Sequence, residues 1–233
     1  IIMTGLSVGF AFKTGLFNIG ASGQFIVGAF AAVYVGVKWT FIPGPIHWLV
    51  CLLAAMIAGG IWGILPGLLK ATRNVNEVIT CIMMNYIGMY FTNMMVKSTV
   101  YNQITNMSQA VAPTANIPKW GLDKIFPYNS MNGSILIAIL FVIITFILLN
   151  KTVFGYELKA CGYNQSASDY AGINSKRNVI LSMVLSGMFA GCGGAFLYLS
   201  GAGKYIQVVD VLAAEGFNGI PVALLGVSNP IGI

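Results

Sequence analysis

Three polar side chains stand where a membrane-crossing stretch should be apolar. Asn18, Ser22 and Gln24 fall within GLFNIGASGQFIVGAFAAVYVG, residues 15–36, which is long enough to span a bilayer. Polar groups at that depth are expensive and face a cavity or a partner. Gly15, Gly20 and Gly23 lie among them, and glycine-interrupted apolar segments are the best sequence pointer to a transport site. The chemistry on offer is neutral hydrogen bonding, either to a solute or to backbone groups freed at a helix break. After the break, Phe25 to Val37 is predicted as an apolar half-helix, with Gly28, Ala32 and Gly36 spaced as a small-residue packing face.

A second copy strengthens the reading. GFNGIPVALLG, residues 216–226, repeats the Phe-Asn pair as Phe217-Asn218, again among glycines and before an apolar run. Upstream, Gly5 and Gly9 (TGLSVG) are echoed by Gly187 and Gly191 (SGMFAG) in the same order. Two ordered echoes indicate an internal duplication. The candidate substrate pathway is therefore Phe17, Asn18, Ser22, Gln24, Phe217 and Asn218, with Asn85 added from a separate span.

The elements that must position these residues are membrane helices. Hydrophobic residues make up 57% of the chain and charged residues 8%, against about 25% charged in a soluble domain. The mean hydropathy is +0.82. Apolar spans of membrane length recur, so the fold class is an all-α polytopic membrane protein. Spans are expected at 1–12, 16–37 (broken), 47–69, 76–96, 133–149 and 179–199, with a last one starting near Gly216. Ala55, Gly59, Gly63 and Gly67 form a stripe in the third, and Pro66 is expected to kink its end. The chain opens and stops within apolar runs, as a fragment cut inside helices would. The net charge of +6 points to orientation and lipid headgroups, not to nucleic acid.

Lys13, Lys70, Arg73, Lys151, Lys159, Lys176 and Arg177 fall on one side of the alternating spans. Lys38, Lys97, Lys119, Lys124 and Lys204 fall on the other. The first group holds both arginines and is taken as cytoplasmic. Residues 97–132, rich in Asn and Ser and carrying Pro113, Pro118 and Pro127, are then extracytoplasmic. Five spans separate the two Phe-Asn starts, an odd number, which inverts the second copy relative to the first.

The cytoplasmic segment 150–178 is patterned as more than a tether. Asn164 can cap a short helix from Gln165 to Ala171, Gly172 can end it, and Ser175 can cap the following span. A short rigid protrusion suits docking into a partner's groove. Glu77, after Asn76, reads as an acid at a helix N-terminus. His47 beside Trp48 reads as an interfacial anchor and not a metal ligand. Cys51, Cys81, Cys161 and Cys192 form no CxxC pair and are read as free thiols. Catalytic constellations are absent. Gly201-Ala202-Gly203-Lys204-Tyr205 lacks the first glycine of a phosphate loop and has Tyr205 where Ser or Thr is needed. No cofactor is expected, and an energy source must be another chain or an ion gradient.

Four stretches resemble a known family, the membrane permease subunits of bacterial ABC importers of the branched-chain amino acid, simple sugar and nucleoside class. They are GLFNIGASGQF (15–25), NEVITCIMMNYI (76–87), FGYELKACGYNQSASDYAGIN (154–174) and GFNGIPVALLGVSNPIGI (216–233). The likeness is nearest to nucleoside-type permeases; a simple-sugar permease is the alternative, and an ion-coupled secondary transporter a weaker one. The resemblance implies a ten-helix permease fold with inverted repeat and broken helices, of which this chain is a fragment. It implies a multi-pass protein of the bacterial cytoplasmic membrane. Its partners would be a second permease subunit, cytoplasmic ATP-binding subunits and an extracytoplasmic substrate-binding protein. The coupling residues it implies are Gly162, Asn164, Ala167, Asp169 and Gly172. Departures are Ser22 for a frequent Glu, Lys159 for Arg and Ser168 for Ala.

Overall fold

A computed structural model describes residues 1–121 and 132–233; Lys124 and Pro127 of the polar segment lie outside them. The chain is helical: α1 Ile2–Lys13, α2 Ala21–Lys38, α3 Gly44–Arg73, α4 Glu77–Thr99, α5 Ser134–Lys151, α6 Val153–Tyr163, α7 Gln165–Tyr170, α8 Ser175–Tyr198, α9 Ala214–Phe217 and α10 Gly219–Leu225. After α4 comes a small antiparallel hairpin, β1 Tyr101–Asn102 with β2 Met107–Ser108, and a 3-10 turn at Pro113–Ala115. Helices α2, α3, α5 and α8 are long and apolar enough to cross a membrane. Helix α4 has the length, 23 residues, but Asn85, Asn93 and its threonines dilute its apolar character. Ile57, Ile61, Leu140 and Ile144 are exposed on α3 and α5, as lipid-facing side chains must be.

The centre is held by backbone pressed on backbone. A Cβ on Gly59 would lie 2.4 Å from Gly187 O, and one on Gly63 2.5 Å from Met183 O. The stripe read from α3 therefore meets α8. Helix α2 joins through Gly28, where a Cβ would be 2.4 Å from Gly191 Cα. Such approach trades side-chain area for close van der Waals contact, the usual glue where lipid removes the hydrophobic drive. The glycines of the other echoed helix, α1, meet different partners. Cβ atoms on Gly5 and Gly9 would meet Val222, Ala223 and Ile233. Each echoed glycine helix thus packs on the helix that follows the other copy's Phe-Asn pair: α8 on α2, α1 on α10. This reciprocal exchange is what a duplicated pair of units would give.

Several expectations are corrected. The break lies wholly before α2: 14–20 are non-helical and α2 runs unbroken from Ala21, not from Phe25. Gly15, at φ +73°, supplies the turn. Gly23 lies inside the helix because the backbone of α4 presses on it, with Asn85 Cα 2.9 Å from where its Cβ would be. Helix α3 runs through Pro66 to Arg73, taking in the first four residues of the loop expected at 70–75, and Asn74 ends it at φ 49°. The last expected span is two short pieces that stop at Leu225, where Val227 and Ser228 turn the chain at φ 51° and 52°.

His47 is wholly buried and is no interfacial anchor. Its Nδ1 lies 2.9 Å from Thr114 Oγ1 and its Nε2 3.4 Å from Val35 O, so it ties α3 to the 3-10 turn and to α2. Trp48 instead packs edge-on against Trp120, 5.6 Å between centroids. Asn76 caps α4 by accepting from Val78 N at 2.9 Å, and Glu77 pairs with Lys70 at 3.0 Å. The four cysteines are free and buried.

Candidate functional site: the paired helix breaks

Asn18 is fully buried between α1 and α2. Its Nδ2 lies within donating distance of Ser186 Oγ at 2.6 Å, Gln24 Oε1 at 2.7 Å and Ser7 Oγ at 3.4 Å. Ser186 Oγ in turn donates to Ser7 O at 2.7 Å, and Cys81 Sγ approaches Asn18 Oδ1 at 3.7 Å. One amide thus joins α1, α2, α4 and α8. Thr14 Oγ1 donates to Ala11 O at 2.9 Å, closing the end of α1, and also bonds Ser182 on α8. The cluster is neutral throughout.

Asn85 works on the backbone of the same break. Its Oδ1 accepts from Gly23 N at 2.8 Å and its Nδ2 donates to Ile19 O at 3.1 Å. Residues leaving a helix strand their N–H and C=O groups, and in a membrane only protein can satisfy them. Phe17 is half-buried and stacks on Phe12, 4.8 Å between centroids.

The second break meets the first. Ser22 Oγ donates to Ala213 O at 2.8 Å. A Cβ on Gly216 would lie 2.3 Å from Ser22 Cα. Phe217 ends α9 and Asn218 links it to α10. Asn218 is exposed, so the structure does not bring it into the Asn18 cluster. The duplicated pair therefore differs in burial. Ser7, Thr14, Ser182 and Ser186 complete the polar centre and were not singled out from sequence. For two of the four the signal was present: Ser7 lies inside TGLSVG and Ser186 opens the echoed SGMFAG.

The 150–178 segment holds two helices. Asn164 caps α7, accepting from Ala167 N at 3.0 Å, and Gly172 turns at φ +81° beyond it. The next cap is Asn174, not Ser175: its Oδ1 accepts from Arg177 N at 3.0 Å. Asp169, itself exposed, accepts from Ser175 N at 3.3 Å. Helix α6 was not expected. Phe154, Leu158 and Cys161 are spaced as one apolar helix face, which gives it away. Asn164 and Ala167 are exposed, with Tyr163 and Tyr170 open beside them. Gly162 is the one member of the set that is half-buried. A Cβ there would lie 2.5 Å from Thr14 C, and one on Gly15 would lie 2.4 Å from Gly162 Cα. The patterned segment is thus in backbone contact with the first break.

The chain is 43% identical to the guanosine ABC transporter permease protein NupP of Bacillus subtilis (strain 168), covering 100% of the chain and 66% of that protein. It is 36% identical to the nucleoside ABC transporter permease protein NupB of Lactococcus lactis subsp. cremoris, covering 100% of the chain and 65% of that protein. It is 26% identical to a second guanosine permease of Bacillus subtilis, NupQ, covering 100% of the chain and 73% of that protein. The chain thus spans a little under two thirds of the length of NupP and NupB. No solved structure matches it. The family profile described as branched-chain amino acid transport system / permease component matches residues 1–233 in full, and this polytopic helical chain belongs to that family.

Proposed function

We propose that the chain is part of the membrane-spanning permease subunit of an ATP-driven importer that carries nucleosides across the bacterial cytoplasmic membrane. The observation that carries this is the junction of the two breaks, where Ser22 Oγ bonds Ala213 O beside a buried, neutral polar cluster. A nucleoside has apolar base faces and neutral hydrogen-bonding edges, so a neutral cluster can line its path through the breaks. The names of NupP, NupB and NupQ agree with a nucleoside cargo, and two permeases in one organism suit a paired subunit.

The energy source is a cytoplasmic ATP-binding subunit docking on α7, and an extracytoplasmic binding protein delivers the cargo. The end carrying Lys13 and Lys159 faces the cytoplasm. Those two lysines share one small cavity with Asn150 and Asn229, so the ends of α1 and α5 lie beside α6. Docking on α7 moves α6. Gly162 then bears on Gly15, three residues from Asn18. Phe17, Ser22 and Phe217 flank the path, and Asn218 is the polar group open to cargo.

The test is ATP-dependent uptake of radiolabelled guanosine into vesicles holding the complete importer. Deleting residues 164–172 should abolish uptake and release the ATP-binding subunit while the permease still inserts. Retention of that subunit at normal stoichiometry, or uptake driven by an ion gradient without ATP, would contradict the reading.

A further inference from the structure

A cavity of about 350 Å³ lies between α2, the end of α8 and the segment 204–215. Ile26, Tyr198, Lys204, Tyr205, Gln207 and Glu215 line it. Its outer wall is held in place. Ser108 N donates to Ile206 O at 2.9 Å, and Ile206 N donates to Ser108 Oγ at 3.1 Å. Asn93 Nδ2 reaches Val209 O at 2.9 Å and Asp210 Oδ1 at 3.1 Å. Its floor is the junction of the breaks, since Ala213 both lines the cavity and accepts the Ser22 hydroxyl. Among the described residues neither Lys204 nor Glu215 has an ion-pair partner. The volume is that of a small-molecule site, which combines apolar walls with a few polar groups that fix orientation.

We propose that this cavity is a nucleoside site above the breaks, and that it selects 6-oxopurines. The proposal rests on the nucleoside-import reading and adds the class of base. The two tyrosine rings offer faces for a base to stack on. A carboxylate is an acceptor-only group with two oxygens. Glu215 can accept from the adjacent N1–H and N2–H of a guanine edge, while Lys204 or Gln207 donates to the 6-oxo group. Adenine presents a lone pair at N1, which a carboxylate repels. A site built to bond a particular N–H rejects the analogue lacking it, because its own polar group is then left unpaired.

The binding protein carries its own selectivity, so the test leaves it out. The permease complex with its ATP-binding subunits, in lipid nanodiscs, is photolabelled with 6-thioguanosine and the label mapped by mass spectrometry. The expected label falls on Tyr198, Tyr205 or their neighbours in 204–215. Guanosine should compete at least about tenfold better than adenosine, and Glu215→Gln should erase about that factor, the difference between a charge-assisted and a neutral hydrogen bond. An unchanged unfolding temperature in Glu215→Gln would show that the loss is local. Label elsewhere, equal competition by the two nucleosides, or full guanosine preference in Glu215→Gln would each overturn the site. If the complete importer takes up guanosine in any of these cases, the site alone fails; if it takes up no nucleoside, the functional reading fails first.

Discussion

Phe17-Asn18 and Phe217-Asn218 are the same dipeptide in the same setting, yet their asparagines live in opposite environments. Asn18 is 0% exposed and holds four helices through one amide. Asn218 is exposed, at the joint between two short helices. What the two regions share is the glycine beside each. Gly15 presses on Gly162, and Gly216 presses on Ser22. The lesson is that both breaks are packed backbone on backbone while their asparagines differ in burial. One asparagine satisfies its own fold, and the other is exposed at the joint of α9 and α10.

Substitutions can break or sharpen this contrast. The largest effect should come from Gly216→Ala, whose new Cβ would sit 2.3 Å from Ser22 Cα. Backbone cannot yield as a flexible side chain does, so a loss of about 3 kcal/mol is expected, with little folded protein recovered. Size-exclusion profiles in detergent check this; a wild-type profile would mean that the breaks do not touch.

Asn18→Ala should come next, at about 2 kcal/mol, because Gln24 Oε1 and Ser186 Oγ lose their donor in a buried site. Cys81→Ala removes only a long S–H contact to Asn18 Oδ1 and should cost no more than about 1 kcal/mol. Denaturation of the two variants side by side would rank them, and equal losses would show that the amide is not the linchpin. Asn218→Ala should change stability by less than about 0.5 kcal/mol, as exposed positions do. Its mark should be slower guanosine uptake at unchanged assembly and unchanged binding-protein affinity. Uptake at the wild-type rate would remove Asn218 from the path.

The sequence made much of this legible, and its failures have physical causes. Composition and recurring apolar runs gave the helices. The stripe Ala55, Gly59, Gly63 and Gly67 gave one packing face, because small residues four apart have few other uses in a membrane helix. Asn164 gave a cap, since its role depends only on neighbouring residues. Burial was not legible. Nothing local distinguishes Asn18 from Asn218; the difference is made by α8, which brings Ser186 from a distant part of the chain. The position of the break was misread for the same reason. Gly23 looks like a helix breaker, but α4 packs against it and keeps it helical. His47 looked interfacial because its partners, Thr114 and Val35, come from other elements. Helix α6 was missed where polar residues on its outer face hid the Phe154, Leu158 and Cys161 stripe.

The central claim is that the two asparagines do different work. Thermal unfolding of Asn18→Ala and Asn218→Ala, each beside wild-type protein in the same lipid nanodisc, tests it most directly. The expected result is a fall of about 4–8 °C for Asn18→Ala and no resolvable shift for Asn218→Ala. Equal shifts in the two variants, or a shift confined to Asn218→Ala, would contradict it.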